Sequence, residues 1–196
     1  MIQWERRFQV KKGDVKNETI ACIRYRVTSK TRTIWKLICA WGKLQSSKKH
    51  AVTFICEIMR KSFGDGDLIV NVMASNNEKV QTIMREFTSD TCAVAFDSHI
   101  DKLPEKLDVA FYKDVDILLY DWLNSQTSLV SSVSFAIYSF IRVYGMKDVV
   151  SVISDAMLKD KNFFDVFDLL STSSTDNNAG STGTDTNGKL DIDAVL

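Results

Sequence analysis

The sequence is poor in the residues that interrupt regular structure. It contains a single proline, Pro104, and eight glycines among 196 residues. All-β sandwiches and barrels need many turns, so this scarcity disfavours them and favours helices with few interruptions. No stretch supplies the roughly 18–20 uninterrupted apolar residues that a membrane helix requires. The longest apolar segment, residues 129–146, contains serines and an arginine, and we predict that it forms a buried helix.

Residues for catalysis and metal binding are also scarce. The sequence has only two histidines, His50 and His99, which makes a histidine-based triad or a multi-histidine metal centre hard to build. Nucleotide-binding glycine motifs, a P-loop and a Gly-x-Ser-x-Gly motif are all missing from the sequence. Two acidic candidates stay open. Asp97, His99 and Asp101 would suit a divalent metal, and residues 64–67 contain an Asp-x-Asp that a turn explains more simply. We expect no cofactor.

The four cysteines are Cys22, Cys39, Cys56 and Cys92, and none forms a Cys-x-x-Cys pair. Each lies in an apolar pattern, as small buried residues do. A zinc site built from Cys39, His50 and Cys56 would fit no standard ligand spacing. The first residues lack the apolar segment of a signal peptide, so we expect reduced thiols and a cytoplasmic location.

The net charge of zero conceals two oppositely charged halves. Residues 1–61 contain 15 Lys and Arg and four Asp and Glu, a net charge of +11, and residues 62–196 carry −11. Such asymmetry is typical of proteins with a polyanionic partner. A basic face can bind phosphate backbones, an anionic membrane surface, or the acidic part of another copy. A solvated surface with no partner is the remaining alternative.

The periodicity of the apolar residues changes within residues 20–44. Residues 20–28 alternate, which predicts a half-buried strand with one apolar and one basic face. Ala21, Ile23, Tyr25 and Val27 form the apolar face, and Cys22, Arg24, Arg26 and Thr28 form the other. From Thr33 the spacing becomes helical, with Ile34, Leu37, Ile38, Trp41 and Leu44 on one stripe. Trp35 lies off that stripe, so we expect it to be exposed.

The same patterns assign the other segments. We predict strands at 4–10, 68–73 and 91–96. We predict helices at 49–61, 105–123, 127–144, 147–159 and 161–170. Another predicted helix begins at the capping box of Ser75 and Glu78. Pro104 suits the first turn of the helix at 105–123, and Gly145 marks the end of the helix at 127–144.

These elements predict an α+β fold. A small N-terminal sheet with helices is followed by a mainly α-helical C-terminal half and a disordered tail. We expect one globular domain over residues 1–170, with a basic α+β part at 1–100 and an acidic helical part at 101–170. Residues 171–196 are the predicted tail, because 171–189 contain no large apolar residue.

The segment at 20–44 resembles the start of the folded domain of rhabdovirus matrix proteins. The matching positions are Tyr25, Val27, Arg32, Trp35, Leu37 and Trp41. The proline-rich N-terminal arm of that family has no counterpart here, and its later domain is richer in strand. The resemblance implies a non-enzymatic structural protein of a virion or host cytoplasm, which binds nucleocapsid and anionic membrane and self-associates.

We therefore predict a non-enzymatic interaction protein whose basic N-terminal third binds RNA, nucleoprotein or an anionic membrane, and which forms homo-oligomers. The candidate binding residues are Arg24, Arg26, Lys30, Arg32, Trp35, Lys36, Lys48 and Lys49. Two alternatives remain. One is a protein–protein adaptor or host-factor antagonist that binds a protein through its helical half and its terminal LDIDAVL. The other is a small metal-dependent enzyme centred on Asp97, His99 and Asp101.

Overall fold

The computed structural model describes residues 19–28, 30–91, 106–112 and 117–158. In these ranges the fold is α+β, as predicted, with two strands and seven helices. The strands are β1 (Thr19–Arg26) and β2 (Lys106–Tyr112). The helices are α1 (Thr33–Leu44), α2 (Lys48–Phe63), α3 (Leu68–Ala74), α4 (Glu78–Ser89), α5 (Ile117–Ser125), α6 (Leu129–Tyr144) and α7 (Val149–Leu158).

The two strands form one antiparallel pair, and its register determines which side chains face the core. Ile23 lies opposite Val109, and Tyr25 lies opposite Leu107. These four side chains are buried, so the alternation predicted for residues 20–28 is confirmed. The Tyr25 hydroxyl lies 2.9 Å from the Ser134 hydroxyl, which ties the inner face of the sheet to α6.

The helix predicted over 105–123 is wrong. Its first part is strand β2, and α5 begins only at Ile117. Leu107, Val109 and Phe111 are buried at a spacing of two, which is the period of a strand. Their partner is β1, more than 80 residues earlier in the chain, so no local signal identified the pairing. Pro104 precedes a strand and not the first turn of a helix.

Helices α1, α2 and α6 supply most of the core beneath the sheet. Trp41 of α1 is fully buried, and its ring meets that of Phe140 edge-on at 5.9 Å between centroids. Gly42 lies against β2, where a Cβ atom would stand 2.7 Å from Leu107 Cδ1. The helix can approach the strand this closely because Gly42 has no side chain. Leu44, predicted on the buried stripe, is instead 45% exposed beyond the edge of the core.

The strand predicted at 68–73 is also wrong, because these residues form helix α3. The Asp67 carboxylate accepts a hydrogen bond from the Val70 backbone N–H at 3.1 Å and caps the helix. Leu68 and Val72 are one helical turn apart and both are buried. Capping and packing therefore override the strand propensity of the Ile and Val residues here.

The helices predicted from Thr33, at 49–61, after Ser75, at 127–144 and at 147–159 are confirmed with small changes at their ends. The cap of α4 is Asn77 and not Ser75. Its side chain accepts hydrogen bonds from the backbone N–H groups of Lys79 at 3.0 Å and Val80 at 3.2 Å. Gly145 ends α6 with φ +77°, a conformation that favours glycine.

No single helix in the described ranges is long and apolar enough to cross a bilayer. Helices α6 and α7 pass such a test only as a pair, bent by 51° at their junction. Most side chains of α6 are buried in the core, as predicted for residues 129–146. Several predictions concern residues outside the described ranges. These are the predictions at 4–10, 161–170 and 171–196, those for Asp97, His99 and Asp101, and all but the first residue of the strand at 91–96.

Candidate functional site

The outer face of the sheet carries a compact group of charges. Arg26 lies opposite Lys106 in the register, and Arg24 lies opposite Asp108. We call these four residues the basic sheet face. Three positive charges and one negative charge give it a net charge of +2 at neutral pH. Arg26 and Lys106 are exposed, because alternation turns their side chains away from the core.

Asp108 holds two of these cations. The Arg24 Nε–H donates to Asp108 Oδ1 at 2.7 Å, and Lys106 Nζ lies 3.9 Å from Asp108 Oδ2. The side chains of Arg24 and Asp108 are 39% and 36% exposed. Exposed pairs of this kind contribute only about 0–1 kcal/mol to stability. A phosphate in solution can therefore compete for the same arginine.

Basic residues extend the face at both ends. At one end Lys30 is exposed in the turn after β1, and the Thr31 hydroxyl of that turn donates to the Arg26 carbonyl at 3.2 Å. At the other end Lys49 Nζ lies 4.0 Å from the centre of the Tyr112 ring. Seven strand residues separate the two ends, a span of about 20 Å. That length would accommodate several consecutive phosphates of an extended strand.

Arg32 has a different role from the other candidate residues. Its guanidinium donates to the Phe87 carbonyl at 2.5 Å, at the end of α4. In return the Asp90 carboxylate accepts from the Thr33 N–H at 2.9 Å and the Ile34 N–H at 3.0 Å, at the start of α1. The unpaired backbone groups at each helix end are therefore hydrogen-bonded to a charged side chain at the end of the other helix. Arg32 therefore fastens α1 to α4.

Trp35 and Lys36 are less exposed than their positions in the sequence imply. Trp35 is half-buried and packs on the core, with the Arg32 guanidinium 5.5 Å from its ring centre. The prediction that Trp35 is an exposed anchor is therefore wrong. Lys36 is half-buried on α1, and Lys48 is exposed at the start of α2.

Arg32 also donates to the Thr88 carbonyl at 3.4 Å, and its Nε lies 3.6 Å from Asp90 Oδ1. We expect replacement of Arg32 by alanine to lower the free energy of unfolding by about 1–2 kcal/mol, because two carbonyls and this carboxylate lose a charged partner. The matched control is Arg26→Ala, at an exposed position, where a change below about 0.5 kcal/mol is expected. Urea unfolding of both variants measures the difference. Equal stabilities of the two variants would show that Arg32 does not fasten the helices.

A second surface forms where the α1–α2 turn meets the α6–α7 turn. Gln45 is buried between them, donating to the Lys147 carbonyl at 3.0 Å and accepting from the Val149 N–H at 2.9 Å. Leu44 and Val150, the neighbours of this pair, are 45% and 48% exposed. Three exposed lysines lie close to these residues along the chain: Lys43 at the end of α1, Lys48 at the start of α2 and Lys147 in the turn between α6 and α7. We call these two aliphatic residues and three lysines the lysine end.

Three basic residues of these surfaces, Lys43, Lys106 and Lys147, were not among the candidates predicted from the sequence. Lys106 was placed in a predicted helix, although the alternation of Leu107, Val109 and Phe111 was a signal for a strand. Lys147 lies in the acidic half of the chain. A long-range contact brings it to the basic half, in which its carbonyl accepts from the Gln45 side chain at 3.0 Å and from Trp41 Nε1 at 3.1 Å. No local pattern could have revealed that contact.

The described acidic and thiol candidates, which are the Asp-x-Asp at 64–67 and Cys39, make contacts within the fold. In the Asp-x-Asp at 64–67, Asp65 pairs with Arg60 at 2.7 Å, while Asp67 caps α3. Burial acts to raise the pKa of Asp67, but hydrogen bonds from Thr127 and Val70 outweigh it and lower the pKa. Burial raises the pKa of the Cys39 thiol to about 12, which makes it a poor metal ligand. Among the described residues no group of three or more His, Cys, Asp and Glu is arranged to hold a metal ion.

No protein-family model, curated protein or solved structure shows a significant match to this chain. The resemblance to rhabdovirus matrix proteins therefore stays a prediction. Function has to be inferred from the charges and contacts of the chain itself.

Proposed function

We propose that this chain is a non-enzymatic interaction protein that binds RNA, alone or in nucleoprotein, through the basic sheet face. The observation that carries the proposal is the pairing of Arg26 with Lys106. Two exposed cations are held side by side on a rigid ladder, next to Arg24. Like charges at directly opposite positions destabilise a sheet. An anionic ligand that lies across them would remove this cost.

The chemistry of the face favours phosphate groups as the ligand. Arginine presents a planar fork of donors that matches phosphate oxygens, and two of the three cations are arginines. Residues 24 and 26 share one side of β1 and lie about 6.6 Å apart, close to the spacing of successive phosphates in an extended strand. The large, exposed apolar side chains of the described residues lie outside the sheet: Leu44, Val70, Met73, Tyr120 and Val150. The face therefore offers charge without an apolar anchor.

The full chain is expected to bind a fluorescent single-stranded RNA at low salt and to lose affinity steeply as salt rises. For single strands the slope of log K against log salt is about −0.7 for each phosphate contacted. Contacts by Arg24, Arg26, Lys30 and Lys106 would give a slope near about −3. Fluorescence anisotropy at a series of salt concentrations measures it. No binding at low salt would overturn the proposal.

A second candidate function is binding to an anionic membrane, and the lysine end is the observation that favours it. Two exposed aliphatic side chains beside three lysines combine apolar contact with positive charge. Each basic residue close to an anionic lipid surface contributes about 1 kcal/mol, and this attraction is screened by salt. With RNA on one surface and lipid on another, the chain would have the two contacts of a matrix-type structural protein. Self-association remains part of the same proposal.

If the lysine end binds membranes, Leu44→Asp/Val150→Asp should weaken binding to vesicles with anionic lipid about tenfold or more, because apolar contact is lost and repulsion is added. The matched control is Val70→Asp/Met73→Asp, which makes the same change at two exposed apolar residues of α3. Vesicle co-sedimentation compares the two. Equal binding by both double variants would exclude this surface.

A further inference from the structure

We propose that Asp108 limits the affinity of the basic sheet face for RNA by competing with phosphate for Arg24. This inference rests on the proposed function of that face and adds how its affinity is set. Asp108 is the single negative charge among the four residues of the face. It is also the residue that contacts two of the three cations.

The competition follows from the contact geometry. Asp108 Oδ1 accepts from Arg24 Nε at 2.7 Å, a length typical of a strong, charge-assisted hydrogen bond. A phosphate that uses the same Nε–H must displace the carboxylate. Arg24 and Asp108 are both more than a third exposed, so water and salt weaken their attraction and the exchange is within reach of a ligand.

A nucleic-acid strand is better able to make this exchange than a single phosphate. A strand held by Arg26 and Lys106 places its next phosphate beside Arg24 at high local concentration. A lone phosphate must displace Asp108 without that help. The carboxylate would therefore make the face selective for polyanionic strands and keep its affinity low enough for release.

The test compares Asp108→Asn with Asp121→Asn in the full chain. Both variants remove one negative charge. Asp121 is exposed on α5, a helix that packs against α2, so it controls for the change in net charge. Asparagine keeps the shape of Asp108 and can still accept a hydrogen bond from Arg24. The probe is a fluorescent oligouridylate, titrated over a range of salt concentrations, and thermal unfolding confirms that both variants fold.

We expect Asp108→Asn to bind the oligouridylate about threefold to fivefold more tightly than wild type, with Asp121→Asn close to wild type. Its salt slope should stay close to that of wild type, because Arg24 contacts a phosphate in both complexes once Asp108 has been displaced. Equal affinity of the two variants would overturn the inference. Weaker binding by Asp108→Asn would also overturn it, because Asp108 would then orient Arg24 for RNA. If wild type and both variants fail to bind the oligouridylate at low salt, that result contradicts the proposed function itself.

Discussion

Reversing the charge of Arg24, Arg26 and Lys106 to glutamate is expected to weaken binding of single-stranded RNA about 100-fold or more at low salt. The three substitutions change the net charge of the basic sheet face from +2 to −4. Each lost phosphate contact removes the free energy of counterion release, and the new carboxylates repel the strand. The salt slope should flatten by about 2, because three contacts of about 0.7 each are lost.

The matched control reverses Lys61, Lys79 and Arg85, which are exposed on α2 and α4. It makes the same change in net charge on elements other than the two strands, so it separates the effect of this face from that of the protein's overall charge. We expect its RNA affinity to stay within about threefold of wild type. A milder variant with glutamine at 24, 26 and 106 tests the loss of charge without repulsion. Equal losses in the sheet variant and the control variant would contradict the proposed face.

The local spacing of apolar residues was sufficient to predict those strands and helices that bury one face against the core. The alternation around Tyr25 identified β1, and the helical stripe of Ile34, Leu37 and Trp41 identified α1. Both patterns are strong because one side of each element faces the core. Sequence alone therefore identified the strand that carries Arg24 and Arg26, together with the outward direction of their side chains.

The errors fall where a distant contact or a cap decides the local structure. Leu68, Ile69 and Val70 have strand propensity, yet Asp67 caps them as a helix and Gln126 accepts from the Leu68 N–H at 2.9 Å. Residues 106–112 form a strand because β1 offers a partner. Neither the cap's geometry nor the strand pairing is visible in a window of neighbouring residues.

Counting charges also cannot show which arginines are available to a ligand. Arg24, Arg26 and Arg32 look alike in a basic segment. In the structure Arg32 bonds to the Phe87 carbonyl of α4, 55 residues later in the chain, whereas Arg26 is exposed on the sheet. The sequence alone therefore names candidate residues, and tertiary contacts separate the exposed ones from those that stabilise the fold.

Arg142 is the clearest case of an arginine used by the fold. Its Nε–H donates to Glu86 Oε2 at 2.6 Å, and its Nη2 donates to Oε1 at 3.0 Å, a two-point contact between α6 and α4. The Tyr138 hydroxyl donates to the same carboxylate at 2.9 Å. The side chain of Glu86 is only 16% exposed. Removing the arginine would leave this carboxylate with little water to replace its partner.

We expect Arg142→Met to lower the free energy of unfolding by about 2–4 kcal/mol, because a largely buried carboxylate loses its counter-charge. The control is Arg85→Met, an exposed arginine next to Glu86 in the sequence, for which a change below about 0.5 kcal/mol is expected. The double variant Glu86→Gln/Arg142→Met should lose less stability than the two single variants together, because the unpaired charge is removed. Denaturant unfolding of wild type, Arg142→Met, Glu86→Gln, the double variant and Arg85→Met measures these changes. The expected losses of stability, together with unchanged RNA binding by folded Arg142→Met, would support a structural role. Strict additivity of the two substitutions would show that the pair is not coupled.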